Sequence, residues 1–307
     1  MDSALDLMWE KYRSWAMCAS TLRAELDRWR FITLLLTVAG AVLATLASQL
    51  PGWMANTGSI ARILSAISAV SMALASWSAN TMIDPTREKN WIRARALAER
   101  AKSEGYRYAT RTTPYDDDKP EQKLLDKLNE LTAEGEDVPA LSIQDVKPGL
   151  DQPSHPLLVQ EYIAIRVEKQ LTSFFEPKSA INERSALRCT RLVQLLSGCA
   201  AILAALGAYF PGISVGAWVA TLSTVSAAVG AHALAKRYQR LAATYRLVAD
   251  RLQMRLAAWR SAMQSSQDIT LDKAFINDVE NILLGENQAW AADYISRPVT
   301  LKKAAHR

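Results

Sequence analysis

The hydrophobic residues of this 307-residue chain are concentrated in three windows that contain no acidic, basic or histidine residue: 31–61, 63–83 and 192–231. An α-helix needs about 20 apolar residues to cross the hydrocarbon core of a bilayer. The first two windows each supply one span, at about 31–50 and 63–83. The third is twice as long and contains Pro211-Gly212, so it divides into spans at about 192–210 and 213–235.

Buried helices of a soluble protein are the alternative explanation for such windows. Apolar stretches of about 10–14 residues are typical of soluble cores, whereas these four segments are longer. The charged segment before Phe31 contains acidic residues, which is unlike the start of a signal peptide, so we expect the first span to be a retained anchor. The sequence therefore predicts an all-α membrane protein with four transmembrane helices that form two hairpins.

Lysine and arginine are strongly biased to one end of each hairpin. The opposite ends carry only Arg62 in the first hairpin and no basic residue at the turn of the second. The positive-inside rule then places both termini and the segment 84–189 in the cytoplasm of a multi-pass protein of the inner membrane. The basic residues behind this expectation are Arg23, Arg28, Arg30, Arg87, Lys89, Arg93, Arg95, Arg184, Arg188, Arg191, Lys236, Arg237 and Arg240.

The two hairpins resemble copies of one unit. Pro51-Gly52 and Pro211-Gly212 are 160 residues apart, and Arg28 and Arg188 precede them at that same offset. Similarity at a fixed offset predicts two repeats, which are parallel because both ends of each lie on one side of the membrane. We expect a first two-transmembrane unit over 1–134, a linker over 135–156 and a second unit over 157–307, with long cytoplasmic helical extensions.

An apolar seam at alternating spacings of three and four precedes the first span. Such a heptad pattern predicts a helix that packs along this seam and runs without interruption into the membrane. The seam either packs within one chain or assembles several chains. Its members proposed for assembly are Tyr12, Trp15, Leu22, Leu26 and Trp29.

The remaining chemistry gives little indication of catalysis. The net charge of +5 gives no evidence for nucleic-acid binding, and the three cysteines and three histidines have no metal-ligand spacing. Nucleotide-binding loops and catalytic motifs are missing from the sequence. We therefore expect no enzyme activity, catalytic residue, cofactor or metal.

Small and hydroxyl residues form one stripe on the second span and another on the fourth. Such stripes usually let helices approach closely in lipid. They can also line an aqueous pathway in an oligomer, because pores need no charged ring. The candidate pore-lining residues are Ser68, Ser71, Ala75, Ser78, Thr221, Thr224, Ala228 and Ala231.

Several local patterns give the chain a family resemblance. The second unit contains Tyr162-x3-Arg166-x3-Gln170-x3-Phe174-Phe175-x2-Lys178, an arginine-flanked hairpin, and Glu280-x5-Glu286-x3-Trp290. The first contains Trp9-x2-Tyr12-x2-Trp15, then Trp91, Arg95 and Glu99, then Tyr106 to Tyr115. Together these resemble the SLATT families of prokaryotic two-transmembrane proteins, here in tandem.

The resemblance implies a membrane effector of antiphage or conflict systems, in which a nucleotide signal triggers pore formation or membrane disruption through a partner sensor. This chain has no recognisable sensor domain, so a separate cytoplasmic sensor protein is implied. The first hypothesis is an oligomeric, channel-like membrane effector that is regulated through its cytoplasmic helices. The alternative is a non-conducting scaffold that recruits a soluble partner to the bilayer.

The predicted topology can be tested by labelling single cysteines introduced at Asn56 and Lys119. Asn56 lies in the turn of the first hairpin, and Lys119 lies in the segment expected in the cytoplasm. A membrane-impermeant thiol reagent should label them from opposite sides of sealed vesicles. Labelling of both positions from the same side would contradict the topology.

Overall fold

The computed structural model describes residues 3–53, 57–138, 152–210, 215–265 and 268–295. All regular secondary structure in these ranges is helical. The α-helices are α1 (Ser3–Trp53), α2 (Gly58–Thr81), α3 (Pro85–Ala109), α4 (Pro120–Glu134), α5 (Val159–Tyr162), α6 (Glu176–Tyr209), α7 (Gly216–Lys236), α8 (Tyr238–Ser265) and α9 (Ile269–Ile295). Two π-helical segments, Ile163–Glu168 and Leu171–Phe175, connect α5 to α6.

The four predicted spans are confirmed as helices long and apolar enough to cross a membrane. The first span continues the N-terminal helix without a break, as its seam predicted. Helix α1 passes through Pro51 and ends two residues later at Trp53, slightly beyond the predicted end. Pro211 and Gly212 lie outside the described residues.

The contacts between Cα atoms divide the chain into two compact units. Unit 1 comprises residues 1–23, 86–178 and 244–307, and unit 2 comprises residues 24–85 and 179–243. Both halves of the sequence contribute to each unit, and unit 2 contains all four spans. The division of the sequence into two repeats with a linker at 135–156 stays a prediction.

Hydroxyl groups inside unit 2 connect neighbouring spans. Ser68 Oγ donates a hydrogen bond of 2.7 Å to the carbonyl oxygen of Gly40, which joins α2 to α1. The hydroxyls of Thr45 and Thr221 bond to each other and join α1 to α7. Hydrogen bonds of this kind satisfy polar groups that lipid cannot solvate, and they hold transmembrane helices together.

Two further hydroxyl pairs complete the order of the spans. The hydroxyls of Thr33 and Ser78 lie 2.7 Å apart between α1 and α2, and those of Ser197 and Ser226 lie 3.0 Å apart between α6 and α7. The hydroxyl pairs therefore place α1 next to α2 and α7, and place α7 next to α6.

The outside of unit 2 is largely apolar, although a few hydroxyls such as those of Ser76 and Thr224 are exposed there. Large apolar side chains on the spans are 40–80% exposed in the isolated chain, which is the surface that lipid or another membrane helix covers. They include Phe31, Leu35, Ile63, Ile67, Val70, Leu74, Leu192, Leu195, Ile202 and Leu206.

Unit 1 has a conventional core in which tryptophans lie against glycines. Trp9 is fully buried, and a Cβ atom on Gly105 of α3 would lie 2.9 Å from its Cζ3 atom. Trp15 is 4% exposed, and a Cβ on Gly135 would lie 3.2 Å from its Cζ2 atom. The missing side chains of the two glycines therefore make room for the indoles, which bury large apolar areas.

Gly40 lets α1 and α2 approach closely, and this makes it a sensitive position. A Cβ there would lie 2.8 Å from the side chain of Met72, which can move because it is 42% exposed, and 3.4 Å from the fixed carbonyl oxygen of Ser68. We expect Gly40→Leu to separate the helices and destabilise the first hairpin by about 1–3 kcal/mol. A lower midpoint of thermal unfolding in nanodiscs would show this.

Gly198→Leu on α6 is the matched control, because nothing lies within 4 Å of a Cβ at Gly198. Its unfolding midpoint should stay close to that of the wild type. Equal midpoints for Gly40→Leu and the wild type would show that the contact between α1 and α2 does not require glycine.

Candidate functional site

The centre of unit 1 holds a carboxylate that is completely removed from solvent. Glu280 of α9 is 0% exposed, and its partner Arg166 is 1% exposed. Arg166 donates two hydrogen bonds of 2.9 Å, from Nε to Oε1 and from Nη2 to Oε2 of Glu280. The Tyr162 hydroxyl donates a third, of 2.8 Å, to Oε1. This forked geometry is the strongest pairing available to arginine and a carboxylate.

The local backbone explains how Tyr162 and Arg166 reach the same carboxylate. Tyr162 is the last residue of α5, and Arg166 lies four residues later in the first π-helical segment. Side chains at this spacing lie on one face of a helix. A π-helical segment is uncommon and is found frequently at functional sites, so this stretch of backbone marks the centre as a functional candidate.

The electrostatics favour the ionised pair. Burial alone would lower the pKa of Arg166, but the Glu280 charge and its hydrogen bonds raise the pKa above its ordinary value. Burial alone would raise the pKa of Glu280, but the charge of Arg166 and the hydrogen bonds from Arg166 and Tyr162 lower it. Burial and the Glu280 charge both raise the pKa of Tyr162, so this hydroxyl stays protonated and donates a hydrogen bond to Glu280.

Aromatic rings from both halves of the sequence enclose the ion pair. The Cζ atom of Arg166 lies 4.8 Å from the centroid of the Tyr106 ring, which is close enough for a cation–π interaction. Tyr106 in turn makes edge contacts with Trp9 at 5.5 Å and with Tyr162 at 5.8 Å. These rings exclude water from the pair, which strengthens the attraction between the two charges.

A second polar cluster lies beside the first in unit 1. The Tyr115 hydroxyl donates a hydrogen bond of 2.7 Å to Glu104. Arg107 forms an ion pair of 3.2 Å with Glu104 and donates a hydrogen bond of 2.8 Å to Asn281. Because Asn281 follows Glu280 directly, two consecutive residues of α9 are held by polar contacts, one to α3 and one to the π-helical segment.

The arrangement is suited to holding helices in place. Every donor and acceptor named in the first cluster faces another group of the protein. In the described residues, His, Cys, Asp and Glu form no group of three that could hold a metal ion. The site can act as a rigid polar joint between α9 and the π-helical segment.

The candidate pore-lining residues are divided between the inside and the surface of unit 2. Ser68, Ala75, Ser78 and Thr221 are buried, and the three hydroxyls among them bond to other spans. Ser71 and Ala228 are half-buried, and Thr224 and Ala231 are exposed. The lining of a pathway by these positions stays a prediction.

The candidate assembly seam is largely covered within the chain. Trp15 and Leu26 are buried, and Tyr12, Leu22 and Trp29 are half-buried. This burial favours the interpretation that the seam packs within one chain, and assembly between chains through it stays a prediction.

The residues of the buried centre belong to the motifs that carry the family resemblance, but no pattern in the sequence indicated that they meet. Arg166 and Glu280 are 114 residues apart, and each has other charged residues near it in the sequence, Glu168 and Lys169 beside Arg166 and Asp278 beside Glu280, so nothing singles out this pair. The signal available in the sequence was that Glu280 follows the apolar residues Phe275, Ile276 and Val279 and precedes Leu283. The side chains of Glu286 and Trp290 lie outside the described residues.

Removing one member of the buried pair should destabilise unit 1. Glu280→Leu leaves the guanidinium of Arg166 buried without its counter-charge, which costs about 3–5 kcal/mol. Arg166→Met should cost a similar amount. The double variant should recover most of the loss, because two apolar side chains can replace the pair. Thermal unfolding followed by tryptophan fluorescence provides the measurement.

The exposed pair of Arg260 and Glu168 in the same unit supplies the control. Its nitrogen and oxygen lie 2.9 Å apart, but the two side chains are 57% and 48% exposed. Arg260→Met should therefore change the stability by less than about 1 kcal/mol. If Glu280→Leu unfolds at the same midpoint as Arg260→Met, the buried pair does not hold unit 1 together.

Two protein-family models match the chain, one in each half of the sequence. Residues 162–290 match the family model described as "SMODS and SLOG-associating 2TM effector domain 1". Residues 13–123 match a different model, described as "Protein of unknown function (DUF4231)". No match was found among curated proteins or among solved structures. The segment 162–290, which includes Tyr162, Arg166 and Glu280, is therefore similar to the SLATT two-transmembrane effector domains, and the four apolar helices indicate that the chain is a membrane protein.

Proposed function

We propose that this chain is an integral membrane effector of a conflict or antiphage system that acts by forming a pore from several copies. The observation that carries the proposal is the match of residues 162–290 to an effector domain with two transmembrane helices. The four apolar helices supply the membrane anchor that such an effector requires. Both termini and unit 1 lie in the cytoplasm in this proposal, as the positions of the basic residues predict.

The polar interior of unit 2 supports the proposal that several copies of the chain must assemble before ions can pass. The hydroxyls of Thr33, Thr45, Ser68 and Ser78 bond to groups on neighbouring spans. Thr45, Ser68 and Ser78 are also buried within one copy, so their hydroxyls do not face a water-filled pathway. A pathway is therefore expected between copies of the chain, where exposed residues of the spans meet.

The accessible members of the two hydroxyl stripes are the best candidates for the lining. Ser71 of α2 is half-buried, and Thr224 of α7 is exposed, with its hydroxyl donating 2.9 Å to the carbonyl oxygen of Ala220. Ala228 and Ala231 continue the second stripe and leave space for water. Hydroxyl and small side chains of this kind can line a pore without a charged ring.

The alternative function is a non-conducting scaffold that recruits a soluble protein. It is favoured by exposed apolar side chains on α8 in unit 1, where Leu247 and Met254 are 50% and 63% exposed and lie two helical turns apart. A partner helix can bind such a pair of positions. In either function we propose no enzyme activity, and a separate cytoplasmic sensor protein supplies the trigger.

Conduction can be tested by narrowing the proposed lining. Ser71→Leu and Thr224→Leu each add an apolar side chain at a position that faces the pathway, so ion flux through protein reconstituted in planar bilayers should fall at least tenfold. Hydrophobic constrictions block ions because water leaves them. Assembly should be unchanged, as measured by the mass of the protein in nanodiscs.

Ser76→Leu is the matched control on α2. Ser76 is exposed, and it lies on a different face of the helix from Ser71. Its flux should equal that of the wild type. Undiminished flux in both Ser71→Leu and Thr224→Leu would exclude this lining, and reduced flux in all three variants would indicate a general effect of added bulk.

A further inference from the structure

A cavity of about 460 Å³ lies within unit 1, beside the buried ion pair. This volume is in the range of pockets that bind small molecules. One wall is the face of the helical stretch that begins at α5, on which Glu161, Ile165, Arg166, Lys169 and Gln170 recur at intervals of four to five residues. The π-helical geometry brings residues at this interval onto one face.

The opposite wall comes from the first half of the chain. Lys102 and Tyr106 lie four residues apart on one face of α3, and Gln152, Ser154 and Leu157 precede α5. Gln152 donates a hydrogen bond of 2.6 Å from Nε2 to Asp6, which fixes its amide and leaves the amide oxygen as an acceptor for a ligand. The cavity thus combines cations, amides and a hydroxyl in a small volume.

The charges of the lining favour an anion. Arg166 is neutralised by Glu280, and Lys102 and Lys169 bring two further cations to the lining. Lys102 is already in contact with the protein, since its Nζ lies 5.1 Å from the centroid of the Tyr12 ring. Among the described residues of the lining, Glu161 is the one that is acidic, and its carboxylate accepts a hydrogen bond of 3.4 Å from the backbone N–H of Leu158 at the start of α5. Lys169 is exposed, so its ammonium stays hydrated while the cavity holds no ligand. It can turn into the cavity when a ligand binds.

We propose that this cavity binds a small phosphate ester, with Lys102 and Lys169 on the phosphate and with Gln152, Ser154 and Gln170 on the polar remainder of the ligand. Lysine ammonium groups bind phosphate as compact charges. Amide and hydroxyl side chains supply the directional hydrogen bonds that fix the rest of a polar ligand. The phosphate belongs either to a soluble metabolite or to the headgroup of an anionic lipid, since the two share this chemistry. The inference concerns ligand binding alone and does not depend on conduction.

The test uses the full chain in phosphatidylcholine nanodiscs, titrated calorimetrically with glycerol 3-phosphate at constant ionic strength. Saturable binding is expected, and none with uncharged glycerol. Lys169→Gln removes one charge from an exposed position and should weaken binding about tenfold or more. Gln170→Trp fills the cavity without changing its charge and should abolish binding. Lys123→Gln, at an exposed lysine of α4 outside the cavity, should bind like the wild type.

Repeating the titration in phosphatidylglycerol nanodiscs distinguishes the two sources of phosphate. Weaker binding of glycerol 3-phosphate in phosphatidylglycerol assigns the cavity to a lipid headgroup, because the lipid then competes for it. Exchanging the phosphatidylglycerol for phosphatidylcholine should restore the binding. Equal binding in both lipids assigns it to a soluble ligand. The proposal is overturned if the wild type shows no saturable binding up to millimolar concentration, or if Lys169→Gln and Gln170→Trp bind as the wild type does.

Discussion

A polar side chain that is withdrawn from water must find its partner inside the protein, and both units of this chain depend on that constraint. In unit 1 the constraint is met by the fork of Arg166 on Glu280, with Tyr162 as a second donor to Oε1. An unpaired charge at that position would cost far more than any apolar contact nearby contributes. The geometry of the pair therefore fixes α9 against the π-helical segment, and the aromatic rings pack around a position that is already determined.

The same constraint acts in unit 2 on a smaller scale. Each hydroxyl there has a modest effect, but a hydroxyl without a partner is costly in lipid, so the pairs of Thr33 with Ser78 and of Thr45 with Thr221 select which spans are neighbours. With the polar groups facing inward, the outside is left apolar. An apolar outside suits a bilayer and also suits contact with further copies, which is why the proposed function assigns the pathway to the surface between copies.

The sequence was sufficient for the spans because charge is a local property of the chain. A window without charged residues identifies a membrane helix whatever the rest of the protein does, and the uninterrupted α1 followed from the absence of Gly and Pro before Phe31. Contacts between residues that are far apart in the sequence could not be predicted in this way. Arg166 and Glu280 meet over 114 residues, and Trp9, which is fully buried, lies off the predicted seam because the seam describes one stripe of a helix that is covered on more than one side.

The stripes on the second and fourth spans show the same limit. Periodicity placed Ser68 and Ser71 on similar faces of one helix, but only the packing of α1 distinguishes them, since Ser68 bonds to Gly40 and Ser71 remains partly accessible. A pattern on one helix predicts which residues are neighbours and does not predict what covers them.

Assembly in the membrane is the central claim of the proposed function, and native mass spectrometry of the full chain released from nanodiscs tests it most directly. A defined oligomer of several copies, unchanged over a tenfold dilution of the protein, is the predicted result. A single copy per nanodisc at every protein-to-lipid ratio would contradict the claim, because the proposed pathway lies between copies and the buried hydroxyls of one copy are bonded to neighbouring spans.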